Sequence, residues 1–426
     1  MQKGETIYNQ FVDILKEELL PAMGCTEPIA IAYAGAVAKK TLGQLPERVD
    51  IYVSGNIIKN VKSVVVPHTG GMRGIEAAVC AGIRVGDAEG MLEVISNVKE
   101  DEIPEIKKYK QNTKINVAYS ESPYIFDIDV HVFEGKDSAR VRIVDFHTNI
   151  VLIEKNREVI LKKELSGQKT ENLTDRTVLS VEKILEFADM VDIEDVKEIL
   201  DRQISYNMKI AEYGLRHNYG ANIGKVILNT YGNDIKFRAK AKAAAGSDAR
   251  MNGCELPVVI NSGSGNQGIT ASVPVIEFYK DMDVPVDRLY RALVVSNLCT
   301  IHLKTGVGRL SAYCGAISAG CGSGAGIAYL KGGNYKVIAH TLVNALAIVS
   351  GIICDGAKAS CAAKIAMAVD AGILGYEMYM QGQQFYGGDG IVTRGVENTI
   401  TNVGRLARDG MSETDKEIIR IMVGDK

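Results

Sequence analysis

Tryptophan is absent, and 18 tyrosines with 8 phenylalanines leave aromatic residues at 6%. Aromatic platforms for stacking bases or sugars are therefore scarce. An excess of either charge is also missing, since 49 Lys and Arg face 52 Asp and Glu, a formal net charge of −3 over 426 residues. That balance gives no electrostatic footprint for nucleic acid or for an anionic membrane surface. Met1-Gln2-Lys3-Gly4-Glu5 lacks a basic run leading into an apolar stretch, so no secretory signal is read there. No membrane span is read either, because Asp355, Lys358, Lys364 and Asp370 interrupt the most apolar region, 343–374. The expected location is cytoplasmic. In that compartment disulfides are rare, and metal ligation or catalysis better explains eight cysteines.

Some familiar site patterns are missing as well. There is no His-x-x-x-His pair, no Cys-x-x-Cys and no ferredoxin-type run. The six histidines are scattered, and His217 and His302 read as satisfied structural residues rather than ligands. Neither a P-loop nor a dinucleotide fingerprint is present. No lysine stands out beside a phosphate-binding loop, so pyridoxal phosphate is not expected.

What is present suits a folded chain of two or three domains: 46% hydrophobic and 24% charged residues. Glycine is unevenly placed, with 13 residues before position 201 and 30 after it. Close backbone approaches and tight turns are thus expected in the second half.

Residues 5–20 carry Ile7, Phe11, Ile14, Leu15 and Leu19 at helical spacing, and the helix stops at Pro21. Thr26 is placed to cap a second helix with Glu27 and Pro28 in its first turn. The β-branched runs 49–53, 61–66, 115–118, 125–133 and 139–152 read as strands, with helices over 75–85 and 88–96 between them. From Thr177 onward the reading is nearly all helical, with Gly-rich interruptions. The expected fold is α+β. A mostly helical domain (177–426) holds the site, and a smaller α/β sheet module (45–165) is inserted near the N-terminus. The first 44 residues pack with the helical domain, and the polar stretch 154–176 forms the boundary.

Four cysteines fall close together in the helical half: Cys314, Cys321, Cys354 and Cys361. On one continuous helix, Cys354 and Cys361 would stand about 10.5 Å apart, too far for a single zinc with Zn–S near ~2.3 Å. A non-helical turn at Asp355-Gly356 would bring them together, and an iron–sulfur cluster spans a wider gap than one ion. The competing reading is that these are small apolar core residues. Cys25 precedes a helix N-terminus, where the dipole and free amides favour a thiolate of lowered pKa, a nucleophile or a base. The alternative is a half-buried loop cysteine. The 261–268 run Asn-Ser-Gly-Ser-Gly-Asn-Gln-Gly offers hydroxyls, amides and backbone N–H groups that suit a carboxylate or phosphate, or simply a structural turn. The loop 66–74 offers hydroxyl and backbone donors too, and Thr69 is its candidate substrate contact.

Taken together, Pro21-Ala-Met-Gly-Cys25-Thr26-Glu27-Pro28, the 261–268 run, Ala312-Tyr-Cys314-Gly and Cys354-Asp-Gly-Ala-Lys358 through Cys361 resemble the L-cysteine desulfidase family. That family is related to the iron–sulfur L-serine dehydratase α-chain, and the resemblance covers essentially the whole chain. It implies a [4Fe-4S] cluster held by Cys314, Cys354 and Cys361 with one iron open to substrate, Cys321 being an extra candidate ligand. It also implies Cys25 as the proton-abstracting base, and Ser262, Ser264 and Asn266 as contacts for the amino-acid carboxylate. The implied reaction is β-elimination of L-cysteine to hydrogen sulfide, ammonia and pyruvate. Two alternatives stand beside it: an iron–sulfur L-serine dehydratase, and a non-enzymatic iron–sulfur sensor or amino-acid-binding protein. The expected partner is a small amino acid. A homodimer is a common assembly for enzymes of this size.

Overall fold

The structure, a computed structural model, describes residues 1–120, 122–163, 173–308 and 311–424. The fold is α+β, 59% helical with a small mixed sheet. The first part of the chain holds α1 (Thr6–Glu18), α2 (Thr26–Leu42), α3 (Gly55–Val61), α4 (Gly74–Val85) and α5 (Ile103–Asn112). Its strands are β1 (Pro21–Met23), β2 (Arg48–Val53), β3 (Lys114–Tyr119), β4 (Asp127–Glu134), β5 (Asp137–Val144), β6 (Ile150–Lys155) and β7 (Glu158–Lys162). The rest is helical: α6 (Val181–Met190), α7 (Ile193–Arg216), α8 (Ile223–Tyr231), α9 (Ile235–Met251), α10 (Gly265–Lys280), α11 (Val286–Val307), α12 (Gly315–Leu330), α13 (Tyr335–Val349), α14 (Ser360–Met380), α15 (Val396–Arg405) and α16 (Ser412–Val423). One short strand, β8 (Pro257–Val259), interrupts them. Among the described residues no helix is long and apolar enough to cross a membrane.

The six-stranded sheet runs β3-β2-β4-β5-β6-β7, with β2 and β3 parallel and the remaining pairs antiparallel. Alternation along β2 buries Val49, Ile51 and Val53 on one face, where α2 and α4 cover the sheet. These two helices cross closely because Gly82 has no side chain; a Cβ there would lie 1.9 Å from the Ala32 carbonyl oxygen. Two large hydrophobic cores result. One joins the sheet to α2 and α4, and the other fills the helical part around α12, nearly every residue of which is buried. Placing both N-terminal helices with the helical part needs correction. α1 buries Phe11, Ile14 and Leu15 in the helical core, whereas α2 buries Ile29 and Ile31 in the sheet core.

Several expected elements differ. The run 61–66 is not a strand: α3 ends at Val61, and only an isolated bridge, Val65 to Arg73, follows. The β-branched residues there fill the interior, and their backbone pairs only briefly with residues 72–74. Residues 88–96 form turns with one 3-10 turn, Met91–Glu93, instead of a helix. The run 139–152 is split into β5 and β6 by a turn in which Asp145 adopts φ 67°. The expected boundary 154–176 contains β7 at its start; residues 164–172, with the module's end at 165, lie outside the described residues. The Gly320–Gly326 run is the middle of α12, not an interruption. Gly320 and Gly324 lie against Ala368 and Gly372 of α14, while Gly322 and Gly326 lie against Ser296 and Ala292 of α11. Its glycines let three helix backbones approach, which outweighs their cost of about 1 kcal/mol each in helix propensity.

Candidate active site

A cavity of about 120 Å³ lies where the two cores meet. From the first part of the chain, Cys25, Glu27, Lys59 and Asn60 line it; from the helical part come Arg250, the Ser262–Gln267 segment, Tyr313, Cys314, Cys354 and Cys361, among others.

Local structure explains each position. Cys314 is the N-cap of α12, and Cys361 lies in the first turn of α14. Residues 312–314 and 352–354 run antiparallel: the Cys314 N–H donates to the Ile352 carbonyl (3.2 Å) and the Cys354 N–H to the Ala312 carbonyl (2.6 Å). This bridge holds Cys314 and Cys354 on adjoining segments. Between Cys354 and Cys361 the chain is not helical. Gly356 has φ 96°, and a Cβ there would fall 2.0 Å from the Lys59 carbonyl oxygen. The turn expected at Asp355-Gly356 is therefore present, pressed onto the backbone of α3. Lys358 and Lys364 both pair with Asp355. Burial alone would raise the Asp355 carboxyl, but the two ammonium groups outweigh it and hold the group at about 2. Lys364 also donates to the Ile353 carbonyl (2.9 Å), tying the loop to α14.

The thiols feel one another. Burial, and then the neighbouring Cys354, pushes the Cys314 thiol up to about 12. Burial raises Cys361 as well, with Cys354 adding to it. Cys354 thus opposes the ionisation of both neighbours, a charge that a bound cation would take up. Among the described residues, no three Cys, His, Asp or Glu groups converge closely enough to hold one metal ion. Cys314, Cys354 and Cys361 border one cavity without meeting as such a group. Cys321 does not join them. It is fully buried within α12, outside the cavity lining, and burial raises its thiol to about 12.

Cys25 corrects a second expectation. It is itself the N-cap of α2, and Thr26 is the first helical residue. Its side chain is 2% exposed and sits with Val64, Met251 and Ala357, Sγ lying 3.7 Å from the Met251 thioether. Burial pushes the thiol up to about 11 rather than down. Arg250 opposes the rise, while Glu27 and Cys361 add to it. Arg250 Nη1 touches the same Met251 thioether (3.4 Å), and Glu27 and Cys361 line the same cavity. Gly24, at φ 59°, precedes it and packs on Pro67.

The 261–264 turn follows β8, which pairs with β1, so the strand between Arg250 and this turn is bound to the strand leading into Cys25. Asn261 anchors the turn. Its buried amide donates to Asn297 (2.9 Å), which exchanges hydrogen bonds with Gln203 (2.9 and 2.8 Å). Ser262 takes φ 50°, and its hydroxyl donates to Asn261. Ser264 caps α10 without a side-chain hydrogen bond to the helix. The structure thus brings Cys25, Ser262, Ser264, Asn266, Cys314, Cys354 and Cys361 to one cavity. It does not bring Thr69, which is buried elsewhere and donates to the Val66 carbonyl of its own loop (2.7 Å).

Sequence reasoning missed Arg250, Lys59 and Lys304, and gave Gln267 and Tyr313 no role beyond the motifs that contain them; all five line the cavity. One signal existed for Arg250: it is the only cation in the second half of α9, where Ala243, Ala244, Ala245 and Gly246 mark a tightly packed stretch. His302 pairs with Glu397 (2.7 Å) and His217 stacks on Tyr213.

Residues 89–420 match the family model described as serine dehydratase alpha chain. The chain belongs to that family. Its relatives include a UPF0597 protein of Desulfitobacterium hafniense, 62% identical over 99% of this chain and 98% of the relative. Another, from Lachnoclostridium phytofermentans, is 52% identical over 98% of this chain and all of the relative. A third, from Treponema denticola, is 46% identical with both chains covered in full. The full-length relatives also span the Cys25 segment, which precedes the matched family region.

Proposed function

We propose that this serine dehydratase alpha chain family member is an iron–sulfur lyase that eliminates the β-substituent of a small amino acid. Its substrate on this reading is L-cysteine, which with one water yields hydrogen sulfide, ammonia and pyruvate. The observation that carries the reading is the convergence of Cys25, Cys314, Cys354, Cys361 and the Ser262–Asn266 turn on one cavity from four distant stretches of chain.

The donor set suits a cluster: three thiols line one cavity, Cys314 buried and Cys354 and Cys361 half-buried. Cys314, Cys354 and Cys361 would hold it. When bound with three protein thiolates, a [4Fe-4S] cluster supplies an open, thiophilic Lewis-acid iron for the leaving β-substituent. Cys25 takes the α-proton. Its buried thiol is a weak acid, so its thiolate is a strong base, which suits a weakly acidic C–H. Arg250 and the Ser262–Asn266 turn orient the substrate, and burial keeps water from competing for the proton. The enamine released by elimination tautomerises and hydrolyses without a further protein group.

The name of the matching family favours a second substrate, L-serine, whose β-hydroxyl would leave in place of sulfur. Anaerobic reconstitution with iron and sulfide, followed by steady-state turnover of both amino acids, tests the reading. Equal pyruvate and sulfide from L-cysteine, at a kcat/KM above that for L-serine, is the expected result. Pyruvate from L-serine alone would move the substrate. Turnover of neither, with four iron atoms bound per chain, would sink the lyase reading and favour a sensor or binding protein.

A further inference from the structure

We propose that Arg250 and Glu27 are the two poles of an α-amino-acid clamp, Arg250 taking the α-carboxylate and Glu27 the α-ammonium. The proposal rests on the reading of the cavity as an amino-acid site, and it fixes the substrate class as free amino acids carrying both charges.

Arg250 is 4% exposed at the end of α9. Its Nη1 donates to Asn266 Oδ1 (3.2 Å) and touches the Met251 thioether (3.4 Å); its buried Nε has no partner among the described residues. No carboxylate among the described residues pairs with this guanidinium. A buried cation without an anion is costly, and an incoming carboxylate relieves that cost. The chain makes room for the group: a Cβ on Gly265 would lie 2.2 Å from Arg250 Nε. Two more buried polar atoms of the cavity lining lack partners, Gln267 Oε1 and the Tyr313 hydroxyl.

Glu27 presents the opposite pole. Its half-buried carboxylate receives only neutral donors at 3.3 Å, Asn60 Nδ2 and the Thr26 hydroxyl, and no cation among the described residues pairs with it. Lys59, the lysine of α3, is engaged by Asp415. Cys25 lies beside both: its Sγ and Arg250 Nη1 touch the same Met251 thioether (3.7 and 3.4 Å), and Glu27 stands in the first turn of the helix that Cys25 caps. In an α-amino acid the carboxylate, the ammonium and the labile hydrogen all sit on one carbon. A base flanked by both counter-charges therefore faces that carbon, leaving the β-substituent toward the three clustered cysteines.

The test is anaerobic titration calorimetry on the full chain, before and after loading with iron and sulfide. Three unreactive probes are used: L-alanine, propionate, which lacks the ammonium, and ethylamine, which lacks the carboxylate. R250Q is expected to weaken L-alanine and propionate about tenfold or more while leaving ethylamine unchanged. E27Q is expected to weaken L-alanine and ethylamine and spare propionate. R250K, which keeps the charge, recovers part of the loss; melting temperatures near wild type confirm folding. Equal weakening of all probes by either variant, or no L-alanine binding by the wild type, overturns the clamp. Selective losses in a protein that turns over neither amino acid would uphold the clamp and remove the lyase reading. Turnover without selective losses would do the reverse.

Discussion

A thiol of about 11 makes Cys25 a base that is scarce at neutral pH and strong once formed. On this account kcat/KM for L-cysteine rises with pH, by about tenfold per unit from pH 7 toward 10. A plateau above pH 7 in a pH-rate series would show a thiol lowered by its helix terminus instead. Burial also raises Cys80 and Cys321, both to about 12 from an ordinary 9.0. The folded chain then holds more protons than the unfolded one above pH 9, so stability falls as pH climbs from 9 toward 12. Melting temperatures recorded across that window should decline; a flat profile would contradict the burial of these thiols. At this scale the cysteines were legible in the sequence because few residue types ligate metals or form thiolates. Arg250 and Lys59 were not, since a lone cation reads as a solvated surface residue until packing shows what surrounds it. The direction of the Cys25 shift was hidden for the same reason: the helix terminus is local in sequence, but the burial comes from Val64, Met251 and Ala357.

Elements fix the distances between these residues. The carboxylate of Asp415 on α16 pairs with Lys59, whose side chain is 1% exposed, and accepts from Asn56 Nδ2 (3.1 Å). Removing it strands a buried ammonium, so Asp415→Ala should cost about 3–5 kcal/mol in urea unfolding. The double variant with Lys59→Met should recover most of that loss, and an unchanged midpoint for Asp415→Ala would refute the coupling of α16 to α3. Gly356 makes a sharper test. Alanine there needs an unfavourable φ of 96° and a Cβ 2.0 Å from the Lys59 carbonyl, so the Cys354–Cys361 loop must move. Gly356→Ala should reconstitute with much less iron, while Gly351→Ala, which meets nothing within 4 Å, should load normally. Helix and strand periodicity located most of these elements. It failed at 61–66, where β-branched residues serve packing, and at 320–326, where glycines serve helix–helix contact instead of a turn.

Across the whole molecule, the cavity exists because two cores meet. Sheet-side residues supply the Cys25 thiol and a carboxylate, and helical-part residues supply three further thiols and a guanidinium. Sequence order conceals this, because Cys25 and Cys361 are separated by most of the chain. The architecture was legible from composition and periodicity; the allegiance of α2 to the sheet was not, since its small residues suit either partner. On the proposed function, proton abstraction belongs to one side of the cavity and cluster holding to the other. The measurement that tests it most directly is pyruvate and sulfide release from L-cysteine by the iron-loaded Cys25→Ala variant beside wild type and Cys354→Ser. The account predicts full iron and nearly no product for Cys25→Ala, and lost iron with lost product for Cys354→Ser. Undiminished release by iron-loaded Cys25→Ala would contradict it.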